Sequence, residues 1–437
     1  MEEREKPLLK VAIFSDIQGY AAEYDWGMHN TEMAFRLLAP MQPDVLMMGG
    51  DLADWERKDA FAYYRRLVET YFAGKVPVSV ACAGNHDYGM PGIPRGTRPW
   101  VDELYRKFAA DLGQSPENPF HVVVGGYDFI AMSEDITLPK PAGHHSAQII
   151  AALKAELDKA VARDGEKPIF VITHYLPRFT VPGSFHEYGI PELRELFDGY
   201  PQVLSFSSHV HVPLEDERNI WQGGFTAVQT GTLSYACMGE ANAFNCCNGI
   251  VPFAREAVQC MFMEIFSDHL EIRRYNVEDQ REIMPGNRWR VEIPYRPESA
   301  KYTDAREAST PVPEFAPGTK ALLRYDYGYL YLLFEEARCG EVPAEYYRIR
   351  LSGIGADGTA VFRGEKNYVS NFYRLARNRD PRQVFQLCGD DLPPYGGMVR
   401  AEIFPLNSYM RAGKPLTVEF INPCEAAKTG PLLRPQE

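Results

Sequence analysis

The feature that most constrains this chain is a recurrence in its first half. A short apolar run ends at once in carboxylate, amide or imidazole side chains, and the pattern comes back along the chain. LKVAIF at 9–14 runs into Ser15-Asp16-Ile17-Gln18, and VLMM at 45–48 into Gly49-Gly50-Asp51-Leu52-Ala53-Asp54. Residues 76–81 lead to Gly84-Asn85-His86-Asp87, 169–173 to His174, and 203–206 to Ser208-His209-Val210-His211. Each run has strand length and no polar face, as in strands buried on both sides. Helical patterns lie between them. In 146–162, Ile150, Leu153, Leu157 and Val161 recur three and four residues apart, giving one apolar face, and 61–72 and 101–110 read the same way. Strands alternating with helices predict an α/β domain. Ligands of such sheets gather at the carboxyl ends of strands, where all of these clusters fall.

The chain is 437 residues long, too long for one ordinary core, which predicts two domains. Residues 297–319 are rich in Pro, Ser, Thr and charge and read as a linker. From 289 onward the pattern changes to short β-like runs at 289–293, 322–334, 346–351, 398–404 and 416–421, separated by Ser352-Gly353 and Asp357-Gly358. The expected organisation is therefore an α/β domain over 8–283 and a C-terminal β-sandwich over 284–437. Tyr325, Tyr327, Tyr329 and Tyr331 alternate at period two. That is the pattern of a strand face packed on a core, a ligand platform being the second reading.

A formal net charge of -13 argues against general nucleic-acid binding, because phosphate backbones would be repelled. It is compatible with a small phosphorylated substrate, since bound cations reverse the local field. No apolar run is long enough to span a bilayer. MEEREKPLLK at the start has no apolar core of a signal peptide, so the reading is cytoplasmic, with a removed export signal as the alternative. The 8 cysteines include no CxxC pair, and Cys246 and Cys247 are adjacent, which predicts reduced or packed thiols.

The clusters supply carboxylates, amides and imidazoles, the oxygen and nitrogen donors that Mn, Fe, Zn and similar ions accept. His209 and His211, two apart on an extended stretch, point the same way, and so do Asp16 and Gln18. Asp51 has two oxygens and can bridge two ions, which can then hold a hydroxide and clamp a phosphoryl group. Their joint occurrence in order, each at a strand end, is what marks a site.

Taken together the clusters resemble the signature of calcineurin-like metallophosphoesterases: D-x-H, G-D-x-x-D, G-N-H-D, a lone H and G-H-x-H, matched over about residues 10–235. The resemblance implies a four-layer α/β/β/α sandwich with two mixed sheets. It implies a first ion held by Asp16, Gln18, Asp51 and His211, and a second by Asp51, Asn85, His174 and His209. His86 would stand beside the leaving-group oxygen, with Asp54 and Asp87 supporting it. Two positions depart from the signature. Gln18 replaces His and offers a harder, weaker oxygen donor. That favours Mn²⁺, with Fe, Zn or Mg as the other choices, and D-x-Q subgroups resembling manganese-dependent ADP-ribose pyrophosphatases exist. Ser208 replaces Gly, so its Cβ is expected to crowd a close backbone approach.

The expected activity is hydrolysis of a phosphodiester, nucleotide or pyrophosphate-type substrate by attack of metal-bound hydroxide. The alternatives are a phosphomonoesterase, a catalytically weakened binding or regulatory module, and a role residing in the C-terminal domain as an interaction or carbohydrate-binding unit. The insert between Asp87 and His174, with Arg95, Arg98, His144 and His145, is expected to shape the pocket mouth.

Overall fold

The computed structural model describes residues 5–20, 25–54, 58–88, 101–135, 145–238 and 243–424. Leu9–Phe14 pairs in parallel with Val45–Met48, which pairs in parallel with Val78–Ala81. On its other side Leu9–Phe14 runs antiparallel to Gln259–Ile265, and His269–Asn276 follows outward. A second sheet has the order Ile220–Gln222, Thr226–Gln229, Val203–Ser207, Ile169–Thr173, Tyr127–Met132, Phe120–Val124. Its strands from Thr226–Gln229 to Tyr127–Met132 run parallel.

Period-two alternation sorts the residues of these strands into layers. Leu9, Val11, Ile13, Val45 and Met47 meet Phe129, Phe170, Ile172 and Leu204 in a core between the sheets. Ala12, Phe14, Leu46 and Met48 face the other way, onto Phe35, Phe61, Tyr64 and Phe108. Those four aromatics come from helices Trp26–Leu38, Lys58–Tyr71 and Val101–Leu112. On the far side Ile130, Met132, Ile169 and Val171 pack with Leu153, Leu157, Leu193 and Phe197, from helices Ala147–Arg163 and Pro191–Phe197. The result is the four-layer α/β/β/α sandwich. Strands buried on both faces explain why their sequences are continuously apolar.

The chain divides into two compact units, residues 1–236 with 257–304, and residues 237–256 with 305–437. This moves the expected 283/284 boundary. Arg281–Ile283 and Trp289–Glu292 both pair with His269–Asn276, so the 289–293 run completes the first sheet instead of starting the second domain. The reason is burial: Trp289 is 0% exposed in the inter-sheet core, and the Arg274 guanidinium lies 4.4 Å over its ring. The 237–256 excursion carries no apolar periodicity that would have separated it from its neighbours in sequence.

The second unit is a β-sandwich. One sheet runs Ala360–Val369, Tyr346–Ile354, Met398–Leu406, Leu416–Ile421, and the other Leu322–Asp326, Tyr329–Glu335, Arg382–Gln386. Leu330, Leu332, Phe334 and Phe385 meet Tyr347, Ile349, Val399 and Ile403 between them. The tyrosine alternation is therefore read on the wrong face. The intervening Leu330 and Leu332 pack, Tyr329 and Tyr331 lie opposite Asp326 and Arg324 on the outer face, and Tyr327 sits exposed in the turn. All 8 cysteines are free. No helix among the described residues is long and apolar enough to cross a membrane.

If Trp289 belongs to the first unit, Trp289→Ala should lower that unit's stability by about 3–5 kcal/mol, the usual cost of emptying a large aromatic site. Urea unfolding followed by probes in each unit checks this. A loss confined to the second unit would contradict the assignment.

Candidate functional site

Each cluster begins where a strand stops, and the backbone then leaves the extended region. Asp16, Gln18, Asp51, His209 and His211 all take left-handed conformations, with φ of 50°, 49°, 53°, 73° and 54°. Side chains other than glycine rarely adopt these angles, and they cost energy unless the surroundings impose them. The i, i+2 pairs thus converge through tight loop geometry and not through the strand alternation expected of them. Backbone bonds hold the loops: Asp16 N–H donates to Gly50 O at 3.0 Å and Gln18 N–H to Asp51 O at 2.8 Å. Two glycines make the approach possible. A Cβ on Gly50 would lie 2.7 Å from His174 Nδ1, and one on Gly84 would lie 2.8 Å from Asp51 N. Asp87, buried, accepts from Ala53 N–H at 2.8 Å and Gly84 N–H at 2.9 Å, stapling two cluster loops together. Burial, then the nearby Asp51 charge, pushes the Asp87 carboxyl up to about 7.

Asp51, His174 and His209 offer ligand atoms within 4.8 Å of one another, a group able to hold a metal ion. Around His174 Nε2 lie Asn85 Oδ1 at 3.0 Å, His209 Nδ1 at 3.0 Å and Asp51 Oδ2 at 3.3 Å. The other nitrogen of His174, Nδ1, is 2.8 Å from Gly49 O, which can only accept, so Nδ1 carries a proton there. His211 repeats the logic. Its Nδ1 donates to Tyr235 O at 2.8 Å, so in the neutral ring Nε2 presents a lone pair to Asp16 Oδ1, 3.1 Å away. That buried oxygen has no hydrogen-bond donor. Gln18 is close by, its amide nitrogen 3.4 Å from His86 Nε2.

Acceptors facing acceptors in a buried place require a positive charge between them, as a proton or as a cation. The proton distribution reflects this. Burial alone would lower the His174 pKa, yet the Asp51 carboxylate, with Asp16 and the Gly49 carbonyl, pushes it up to about 10. Burial and the His174 charge hold His209 well below its ordinary value. Burial would raise the Asp51 carboxyl, but His174, His86 and His209 hold it below the usual carboxylate range.

His86 stands at the edge of this group, its Nδ1 2.7 Å from Asp54 Oδ1 and its Nε2 3.9 Å from Asp51 Oδ2. Burial opposes its charging, but the Asp54 hydrogen bond and the Asp51 charge raise its pKa. Ser208 does not crowd the site. Its hydroxyl donates to Gly49 O and lies 3.0 Å from His174 Nδ1. The tight approach is at Gly49, where a Cβ would lie 3.0 Å from Ser15 Cβ and 3.1 Å from Ser208 Cβ. Tyr175, Tyr188 and Tyr235, missed in the sequence, line the imidazoles: Tyr188 lies 4.3 Å from His209 and Tyr235 4.6 Å from His211, between ring centroids. No spacing rule marks them. Arg95, Arg98 and His144 lie outside the described residues. His145 is buried just before the Ser146 cap of Ala147–Arg163, and burial lowers its pKa to about 4, so it is a neutral packed ring.

Residues 9–213 match the calcineurin-like phosphoesterase family. The matched residues lie within the first unit and include every one of the sequence-predicted site residues. No curated protein matches the chain in sequence. Among solved structures, it is similar to a dimetal phosphatase from Danio rerio, at 10% identity and a TM-score of 0.45, covering 67% of this chain and 100% of that one. It is also similar to a purple acid phosphatase from yellow lupin (Lupinus luteus) seeds, at 15% identity and a TM-score of 0.44, covering 67% and 55%.

The raised His174 pKa sets a sign for cation binding. A divalent ion at Nε2 must displace the proton that His174 holds below its pKa of about 10. Filling the His174 position should therefore release about one proton near pH 8, and affinity there should rise about tenfold per pH unit. Calorimetric metal titration in buffers of different ionisation enthalpy measures the release. Release absent from the wild type, or unchanged in His174→Ala, would place the ion elsewhere.

Proposed function

We propose that Asp16, Gln18, Asp51 and His211 hold one divalent cation and Asp51, Asn85, His174 and His209 a second, and that the site hydrolyses a phosphate ester. The observation that carries this reading is the Asp51–His174–His209 group, with the buried Asp16 Oδ1, which has no hydrogen-bond partner, standing 3.1 Å from His211 Nε2 beside it. Such a pair is relieved by a proton or by a cation between its members, and the donor set around it suits a cation. Bound there, divalent ions supply Lewis acidity toward phosphoryl oxygens and lower the pKa of a water. Asp51, with two oxygens and a lowered pKa, stays anionic and is suited to serve both positions. The Gln18 amide oxygen, a harder donor than imidazole, favours Mn²⁺ over Zn²⁺ at the first.

The chain's own acid is His86. Its Nδ1–H is held by Asp54, whose carboxylate stabilises the imidazolium and leaves the Nε2 proton facing the Asp51 side. There it can be given to a departing alkoxide. Asp87 acts through position, fixing Gly84 and Ala53 so that Asn85 and Asp54 keep their places. Phosphodiester, nucleotide and pyrophosphate-type substrates are the first choice and monoesters the second.

Anomalous diffraction after a manganese soak should give two peaks sharing Asp51, and Gln18→His should shift the metal preference toward Zn²⁺. His86→Asn should keep the metals and lower turnover about 10²–10⁴-fold, most on alkyl esters whose leaving groups need a proton. Asp51→Asn should lose metal and activity together. A wild-type protein with full metal occupancy that hydrolyses none of a mono-, di- and pyrophosphate panel would make the binding-module reading the correct one.

A further inference from the structure

The Asp54 carboxylate has two oxygens, and His86 uses only one of them. Asp54 Oδ1 meets His86 Nδ1 at 2.7 Å, while Asp54 Oδ2 accepts a hydrogen bond from the hydroxyl of Tyr20. Tyr20 comes from the loop after Leu9–Phe14, two residues beyond Gln18, and Asp54 from the loop after Val45–Met48. The two loops are laced by backbone bonds, Gly19 N–H to Leu52 O at 2.9 Å and Asp54 N–H to Gly19 O at 3.1 Å. Asp25 pins the tyrosine's own backbone, its Oδ2 accepting from Tyr20 N–H at 2.5 Å. That same carboxylate caps helix Trp26–Leu38. The Tyr20 side chain is partly exposed, at 36%, so it stands on the solvent side of a carboxylate that is mostly covered.

We propose that Tyr20 is a positioning residue for leaving-group protonation: its hydroxyl fixes the plane of the Asp54 carboxylate, and Asp54 in turn fixes His86 with Nε2 toward the reacting phosphate. The proposal rests on the role given to His86 above. A carboxylate held at one oxygen can swing about its Cβ–Cγ bond into solvent. Held at both, it keeps Oδ1 on His86 Nδ1, which sets both the tautomer and the ring orientation of the imidazole. Tyr20 touches neither substrate nor ion in this scheme. Its effect passes only through Asp54, and that gives it a distinctive signature. Removing the hydroxyl costs turnover where a proton must be delivered, spares turnover where it need not be, and costs nothing once His86 is gone.

The test is Tyr20→Phe, which keeps the ring and its shielding, against Tyr20→Leu, which loses both. Both are compared on an alkyl and an activated aryl phosphate ester, with the manganese-loaded enzyme. Tyr20→Phe should lower kcat on the alkyl ester about threefold to tenfold, the scale of one hydrogen bond. KM, metal content and aryl-ester turnover should be unchanged. In a His86→Asn background the substitution should add no further loss. In metal-free protein, the Nδ1 proton of His86 should exchange with water faster in Tyr20→Phe than in wild type, as seen by nitrogen-edited NMR. A silent Tyr20→Phe would overturn the hydrogen-bond role, and a loss seen only in Tyr20→Leu would reduce it to shielding. An equal loss on both esters, or a full loss in the His86→Asn background, would also overturn it. If His86→Asn is itself silent on alkyl esters, the failure lies in the role of His86 and not in Tyr20.

Discussion

His211 Nε2 facing a buried carboxylate oxygen of Asp16, and the same crowding at Nε2 of His174, set the terms for the rest of the first unit. In a metal-free protein protons relieve such contacts: the Asp51 charge favours a proton on His174, while burial and the His174 charge disfavour one on His209. On the far side of each of these two rings an orienting bond runs to a backbone carbonyl. Gly49 O holds His174 and Tyr235 O holds His211, so the ring faces that look inward have no freedom to become donors without taking up charge. The arrangement is built to accept a cation.

Holding acceptors together costs energy, and the scaffold supplies it. Asp16, Gln18, Asp51, His209 and His211 all sit in left-handed backbone, an accumulation that strands alone could not sustain. The strands behind them are anchored on both faces. Apart from Lys10, the residues of Leu9–Phe14 and Val45–Met48 enter either the inter-sheet core or the helix-covered core, so the strand ends cannot retreat to relieve the loops. Gly50 and Gly84 allow the loops to close upon one another, and Asp87 ties the Ala53 and Gly84 amides into one piece.

Ser208 and Gly49 show how a pairwise constraint escapes reading along one strand. Read along its own strand, a side chain at 208 threatens a close approach, yet the absence of one at 49, more than a hundred residues earlier, leaves it room, and its hydroxyl supports His174. The tyrosines of 325–331 make a similar point. Alternation reports that a strand has two faces, but not which face meets a core. Leu330, Leu332 and Phe334 offer a drier surface than their tyrosine neighbours, and the sandwich closed on them.

The sequence by itself determined the α/β character of the first unit, the order of its central strands along the chain, and the identity of the polar residues at their carboxyl ends. Apolar strands and the residues that follow them are local features, written within a few positions of one another. Only the tertiary structure decided which nitrogen of each imidazole faces inward, that Trp289 completes the first sheet, that 237–256 groups with the second unit, and that Tyr20 reaches Asp54. Each of these depends on a partner far away in the chain. The energy that selects it, whether burial of an indole or satisfaction of a carboxylate oxygen, exists only after the sheets have packed.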